Sequence, residues 1–296
     1  MKEQFRKNLR LSEQNKRRLI QINKIIENYK SQGYRLTLRQ LYYQLVSKDL
    51  IPNKVQEYAK LSGLLVKGRM AGQVDWDSIE DRLRRPKIPY YVEDIPDAIN
   101  DTISQYRLNR MAGQKNYIEV WCEKDALSNV LYRVTKKYHV RLMVNRGYSS
   151  CTAMHDAYKR FVSADYDVDE GNVYILYLGD HDPSGLDMIR DISSRQDEFG
   201  VFPKIVHIAI TRNQIKQYNP PPNPAKISDP RAKWYIKKHG QTSWEVDALD
   251  PSVLHSLLIS AIEKLIDKNI FNDVLKKEKE DKDKLREFME DFDEED

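Results

Sequence analysis

Three acidic residues stand where they could hold a metal ion. Asp180 and Asp182 close the longest apolar run of the chain, residues 172–180, and Glu123 follows an earlier apolar run, 116–121. Side chains at i and i+2 of an extended segment point to the same side, so the two aspartates are expected to converge. Carboxylate oxygens in such a set suit Mg²⁺, with Mn²⁺ as an alternative.

Two adjacent tyrosines in the segment 35–45, RLTLRQLYYQL, raise a second kind of chemistry. At about 100° per residue, Tyr42 falls on the apolar stripe of a helix, whereas Tyr43 falls outside it. Tyr43 also lies four residues after Arg39, so both side chains could meet one phosphate. The pattern predicts that Tyr42 belongs to the core and that Tyr43 is free to react.

The elements around Tyr43 are predicted to be helical. Helices are expected over 1–33, 38–49 and 54–71, followed by a turn-rich basic segment and a connecting helix over 94–111. Three helices and a basic hairpin-like segment indicate a winged helix, with a plain helical bundle as the alternative. The residues predicted to contact DNA here are Lys60, Lys67, Arg69, Arg82, Arg84 and Arg85.

The acids lie in a region where the spacing of apolar residues differs from that of the N-terminal helices. Apolar runs that alternate with helical patterns predict a parallel α/β sheet, whose carboxyl edge binds ligands. Lys124 and Arg146 follow two of the strands and are further candidates for phosphate contacts, with an ordinary surface position equally open for Lys124. The predicted strands are 116–121, 140–146, 172–180 and 204–210, and the intervening helices are 125–138, 150–162 and 184–195.

The chain is expected to divide into residues 1–112, 113–268 and a charged helical tail, 269–296. Residues 1–112 hold 22 Lys and Arg against 13 Asp and Glu, a net charge of +9, as expected of a protein that binds a phosphate backbone. The last 12 residues hold one Arg against seven acids, a net charge of −6. The two cysteines indicate no disulfide framework, and no apolar run is long enough to span a bilayer, so a cytoplasmic, DNA-associated protein is expected.

Taken together, these residues resemble a Toprim domain, with Glu123 in EKDA and both aspartates in GDHDPSG. The upstream TLRQLYYQL is similar to the tyrosine-bearing winged helix of the topoisomerase VI A subunit and of the meiotic double-strand-break transesterase. In that family an Arg-x-x-x-Tyr helix precedes the Toprim domain, as it does here. The segment 244–249, WEVDAL, is similar to one near the family's C-terminus, and the short chain most resembles the stand-alone topoisomerase mini-A.

The resemblance implies a multidomain α/β protein, a CAP-like winged helix followed by a Toprim domain, that cleaves and rejoins double-stranded DNA. Tyr43 would attack a phosphodiester and become linked to the 5′ phosphate, while Arg39 would contact the scissile phosphate. Glu123, Asp180 and Asp182 would hold Mg²⁺, with Glu123 also able to act as acid or base. The family arrangement implies a homodimer in which the tyrosine of one chain meets the metal of the other.

Two other functions fit the same residues. A Toprim nuclease would hydrolyse DNA at the metal site without needing Tyr43, and a DNA-binding protein of a mobile element could keep the fold without catalysis. The sequence has no Gly-rich phosphate loop of an ATPase, so strand passage driven by ATP would require a separate B-type subunit.

Overall fold

The structure is a computed structural model that describes residues 2–6, 11–80, 89–163 and 171–294. Its N-terminal part is built from three helices that share one hydrophobic core. The prediction that the first helix starts at residue 1 is wrong, because the Ser12 side chain accepts a hydrogen bond from the Asn15 backbone N–H, 3.3 Å away, and caps the helix. The helices are α1 (Glu13–Ser31), α2 (Leu38–Ser47) and α3 (Val55–Met70).

Helix α2 is buried on nearly every side. It begins with a capping box, in which Thr37 and Gln40 exchange side-chain and backbone hydrogen bonds. One side of α2 packs against α1 and α3, and the other packs against the short turn Val246–Ala248 from the far end of the chain. All residues from 40 to 46 are therefore buried, although the amphipathic pattern predicted only one buried face.

A four-stranded parallel sheet forms the centre of the rest of the chain, which confirms the predicted α/β class. The strand order is β2-β1-β3-β4, so the two strands that precede the predicted acids are neighbours in the middle of the sheet. In the register of this pair, Cys122 lies opposite Leu178. The strands are β1 (Tyr117–Cys122), β2 (Arg141–Val144), β3 (Val173–Leu178) and β4 (Lys204–Ala209).

Helices cover both faces of the sheet. Val120 and Leu176 pack on one face against α5 and α10, whereas Trp121 and Tyr177 pack on the other against α6 and α7. The near-continuous apolar strands follow from this two-sided burial. The covering helices are α5 (Ser128–Tyr138), α6 (Cys151–Ser163), α7 (Pro183–Glu198) and α10 (Pro251–Glu263).

The remaining elements surround this framework. The connecting helix, predicted over 94–111, is shorter than predicted. The proline-rich segment 219–226 contributes a short strand, β5, which pairs with β6 in antiparallel fashion. The terminal helix packs against α4, and its Glu278 is buried beside Arg110. Among the described residues, no helix is long and apolar enough to cross a membrane. The elements are α4 (Ile95–Gln105), α8 (Arg212–Tyr218), β5 (Asn223–Pro224), α9 (Ala232–His239), β6 (Thr242–Ser243) and α11 (Lys268–Glu294).

Candidate metal and phosphate site

The carboxyl ends of β1 and β3 bring two of the predicted acids together. Glu123 directly follows β1, and Asp180 follows β3 by two residues. The Asp180 backbone N–H donates a hydrogen bond to Glu123, 3.0 Å away. Burial, followed by the charge of Glu123, raises the pKa of Asp180 to about 7, and burial raises the pKa of Glu123 as well.

Asp182 begins the helix that follows β3. Its carboxylate caps α7, accepting hydrogen bonds from the Gly185 backbone N–H at 2.6 Å and from the Ser184 hydroxyl at 3.1 Å. The turn into α7 is tight, since a Cβ on Gly185 would lie 2.3 Å from the Asp180 carbonyl oxygen. The intervening His181 points away from the acids, as the alternation of side chains predicts, and its ring hydrogen-bonds to Tyr235.

Two acids missing from the predicted set complete the cluster. Strand β6 leads into a segment that crosses the end of β3, where His181 and Trp244 form an antiparallel bridge. The Val246 backbone N–H then donates a hydrogen bond of 2.9 Å to Asp180. This crossing places Glu245 and Asp247 so that one oxygen of each lies within 4.8 Å of the others and of an Asp180 oxygen.

Asp180, Glu245 and Asp247 could therefore hold a metal ion. In Asp247, Oδ2 accepts from Arg39, whereas the buried Oδ1 has no hydrogen-bond partner among the described residues. An unpaired carboxylate oxygen in a buried site is costly unless a cation meets it, which fits a metal at this position. Glu245 and Asp247 therefore join Asp180 as possible ligands, whereas the assignment of Glu123 and Asp182 as ligands stays a prediction.

Two cations from different parts of the chain reach the same acids. Lys124 Nζ lies 2.6 Å from Asp180 and 3.5 Å from Glu245, so this lysine faces the cluster rather than the surface. Arg39, from α2, donates to Asp247 over 2.7 Å and also pairs with Glu245. With Glu123 included, four carboxylates face two cations, and the excess of negative charge suits a divalent ion.

Tyr43 lies beside this cluster but is not exposed. Only 5% of Tyr43 is accessible to solvent, the same as for Tyr42, so the prediction of a free Tyr43 on the exposed side of the helix is wrong. The physical reason is that the turn containing Asp247 covers that side of α2. The Tyr43 hydroxyl nevertheless points to the site, since it lies 3.5 Å from Arg39. Burial raises the pKa of Tyr43, and Arg39 opposes this shift.

The neighbouring Tyr42 has purely local partners. Its hydroxyl donates to Asn53 at 3.0 Å and to the Lys54 carbonyl at 3.2 Å. The prediction that Tyr42 belongs to the core is confirmed. The two tyrosines therefore differ in what their hydroxyl groups face and not in how deeply they are buried.

Among the described residues, the other predicted DNA contacts lie outside the cluster. Lys67 is exposed on α3, and Lys60 pairs with Glu57 on the same helix. Arg69 donates to the Trp76 and Ile79 carbonyls, a structural role that ties the end of α3 to the next turn. Arg146 is exposed and pairs with Asp125 at 3.0 Å. The predicted contacts Arg82, Arg84 and Arg85 lie outside the described residues.

The fold and the site together define an α/β protein with an acidic cluster at the carboxyl edge of a parallel sheet. Comparisons with models of known protein families and with curated proteins found no match to this chain.

Proposed function

We propose that the protein cleaves and rejoins double-stranded DNA by a metal-dependent transesterification, with Tyr43 as the nucleophile. The observation that carries this proposal is the convergence of Arg39 with the acids. The helix that bears Tyr43 also bears Arg39, and Arg39 forms ion pairs with two of the three carboxylates that could hold a metal. The nucleophile, a phosphate-binding cation and a metal site thus share one location.

Asp180, Glu245 and Asp247 would hold Mg²⁺ or Mn²⁺, with Glu123 beside them. A divalent ion there would neutralise the charge that develops on the phosphate and on the leaving oxygen. Arg39 and Lys124 already lie at the acids, and each could exchange a carboxylate partner for a phosphate oxygen. Arg39 would also orient the Tyr43 hydroxyl, to which it donates a hydrogen bond.

The reaction exchanges one phosphodiester for another. The Tyr43 oxygen forms a bond to phosphorus and passes its proton to a solvent water, and the bond between phosphorus and the 3′-oxygen breaks. The 3′-oxygen takes up a proton, for which the half-buried carboxyl of Glu123, whose pKa is raised by burial, is a candidate donor. The tyrosyl phosphodiester conserves the energy of the DNA phosphodiester that was broken. Attack of the 3′-hydroxyl on this link can therefore rejoin the strand.

The basic N-terminal part supports DNA as the substrate, since residues 1–112 carry a net charge of +9. A homodimer and a separate ATPase subunit remain predictions from the resemblance.

The test uses the two adjacent tyrosines as a matched pair. Wild type, Tyr43→Phe and Tyr42→Phe are incubated with supercoiled DNA and Mg²⁺ or Mn²⁺, denatured, and assayed for DNA covalently attached to protein. We expect attachment with wild type and Tyr42→Phe and none with Tyr43→Phe, since only the Tyr43 hydroxyl faces Arg39. Cleavage by Tyr43→Phe would overturn the proposal.

Metal-dependent hydrolysis is the second candidate function. The burial of Tyr43 favours it, because a nuclease would use only the metal site and would leave the tyrosine in the core. This function predicts cleavage by both tyrosine variants, without covalent attachment, and its loss in Asp180→Asn. Absence of cleavage by wild type with either metal would instead favour a DNA-binding protein without catalysis.

A further inference from the structure

A large cavity lies on the other side of the β3 edge from the acidic cluster. Its volume is about 940 Å³, and it is bounded by α7, α9 and the start of α8. His181 and His207 line it from the sheet. Asp180 turns towards Val246, whereas His181 turns towards Tyr235, so the backbone between these neighbours separates the cavity from the candidate metal site.

The cavity carries a positive charge. Four cations and two acids line it, which leaves a net charge of +2 before the histidines are counted. Arg190 and Arg231 are paired with Asp187. Within the described parts of the chain, Arg212 and Lys238 form no ion pair, so both remain available to an anion at the rim.

The cavity also has an exposed aromatic ring on which a planar ligand could stack. Trp234 is 51% exposed at the cavity, and its ring centroid lies 5.8 Å from that of His239. Lys238 lies 5.5 Å from the centroid of the Trp234 ring. An exposed tryptophan beside a cation is the arrangement on which nucleic-acid bases stack.

Two histidines of the cavity wall have ring nitrogens without a hydrogen-bond partner among the described residues, namely Nε2 of His207 and both nitrogens of His239. These atoms have almost no surface open to solvent, so a ligand would reach them only if the rings turned towards it. Burial lowers the pKa of both histidines, and a neutral imidazole offers one donor and one acceptor to the edge of a base.

We propose that this cavity binds a nucleotide, with the base against Trp234 and the histidines and the phosphate at Arg212 and Lys238. The volume suits a ligand of this size. A sugar phosphate would leave the tryptophan face unused, and a nucleoside would leave both cations without an anion. The proposal uses neither Tyr43 nor the acidic cluster, so it stands or falls independently of the proposed cleavage activity.

The nucleotide could be free or could belong to a DNA strand, and the experiment separates the two sources. The full chain is titrated calorimetrically with dAMP, deoxyadenosine, inorganic phosphate and a single-stranded oligodeoxyadenylate. We expect dAMP to bind one site more tightly than deoxyadenosine or phosphate. If the oligonucleotide binds more tightly than dAMP, and Trp234→Ala weakens the binding of both to the same extent, the occupant is part of a strand. If the oligonucleotide binds as tightly as dAMP or more weakly, the occupant is a free nucleotide.

Variants test whether the cavity is the site. Trp234→Ala should weaken dAMP binding at least about fivefold, and Trp234→Phe should restore most of it, because the phenyl ring still stacks. Lys237→Ala is the matched control, since Lys237 is exposed on the same helix but does not line the cavity. Unchanged dAMP affinity in Trp234→Ala, equal binding of dAMP and phosphate, or no binding of dAMP and the oligonucleotide would overturn the proposal.

Discussion

Asp247 is the residue on which the candidate metal site depends most. Its side chain has no exposed surface, one oxygen is held by Arg39, and the other has no partner among the described residues. A buried carboxylate in this state is stabilised when a cation approaches its free oxygen. Asp182, which the Asp-x-Asp spacing predicted as a ligand, has one oxygen, Oδ1, engaged by the first turn of α7.

This difference gives the first prediction. Asp247→Asn should weaken the binding of Mn²⁺ or Mg²⁺ at least about tenfold, because an amide replaces a charged ligand oxygen while Arg39 can keep an acceptor. Asp182→Asn should leave the affinity within about twofold, because asparagine is also a good N-cap. Calorimetric titration of the metal-free protein measures both. Equal losses in the two variants would restore Asp182 to the ligand set.

The predictable part of the site is the part that local sequence encodes. Glu123 and Asp180 follow apolar strands, and strand ends in a parallel sheet converge whatever the rest of the chain does. Glu245 and Asp247 carry the same i, i+2 spacing of acids, which was a usable signal. However, they follow no recognisable apolar strand, and they reach the site only because the 242–249 segment crosses the end of β3. Tyr43 was misplaced for the same reason, since a distant segment covers its side of α2.

At the scale of elements, the strands and long helices were predictable because burial imposes a period on their sequences. The short helices α8 and α9 were not predicted, because seven or eight residues show too little of a helical repeat in the sequence. Both helices contribute residues to the walls of the cavity. Asp187, on α7, connects α7 with the start of α9. It accepts hydrogen bonds from Arg190 and Tyr148 on one side and from Arg231, next to α9, on the other.

The second prediction concerns this connection. The Arg190 hydrogen bond is the largest of the contacts that lower the pKa of Asp187 to about 2. A lowered folded-state pKa stabilises the fold above the unfolded pKa, near 4, and this stabilisation is lost as the pH falls through about 2. Asp187→Asn should therefore cost about 1 kcal/mol at pH 6, after allowance for the exposed Arg190, and this cost should fall steeply towards pH 2 and vanish below it.

Urea unfolding at a series of pH values measures this difference. Glu198→Gln, which removes an exposed acid from the same helix, is the control for the loss of one negative charge. A constant difference between wild type and Asp187→Asn at all pH values would contradict the ionic explanation and indicate a packing effect.

At the scale of the whole molecule, the candidate site lies where the N-terminal helices meet the α/β part. The contacts that join them there include Tyr29 with Asp250, Arg39 with Asp247 and Glu245, and Asn53 with Asn223. In this arrangement, which we call closed, Lys124 and Arg39 form ion pairs with the acids. The turn that contains Asp247 covers Tyr43. For the proposed reaction, a DNA phosphate would have to displace these ion pairs, and α2 would have to move away from the turn that covers Tyr43.

That movement bears on whether Tyr43 acts on its own chain or on a partner. Once α2 separates from its own acids, the tyrosine is free to meet the acidic cluster of a second chain, which is the arrangement that the family resemblance implies. We therefore predict that Tyr43→Phe and Asp247→Asn, each inactive alone, restore covalent DNA attachment when mixed. A mixed dimer would combine an intact tyrosine from one chain with an intact acidic cluster from the other.

The expected recovery has an upper limit set by statistics. If chains exchange freely, half of the dimers are mixed, and each holds one intact site of two, so attachment should approach about one quarter of the wild-type level by random assortment. Mixing Tyr43→Phe with the double variant Tyr43→Phe/Asp247→Asn supplies no intact tyrosine and is the matched control. Denaturing gels of attached DNA measure the recovery, and subunit exchange is checked separately with tagged chains. No recovery despite exchange would show that Tyr43 serves the acids of its own chain, as the closed contact places it.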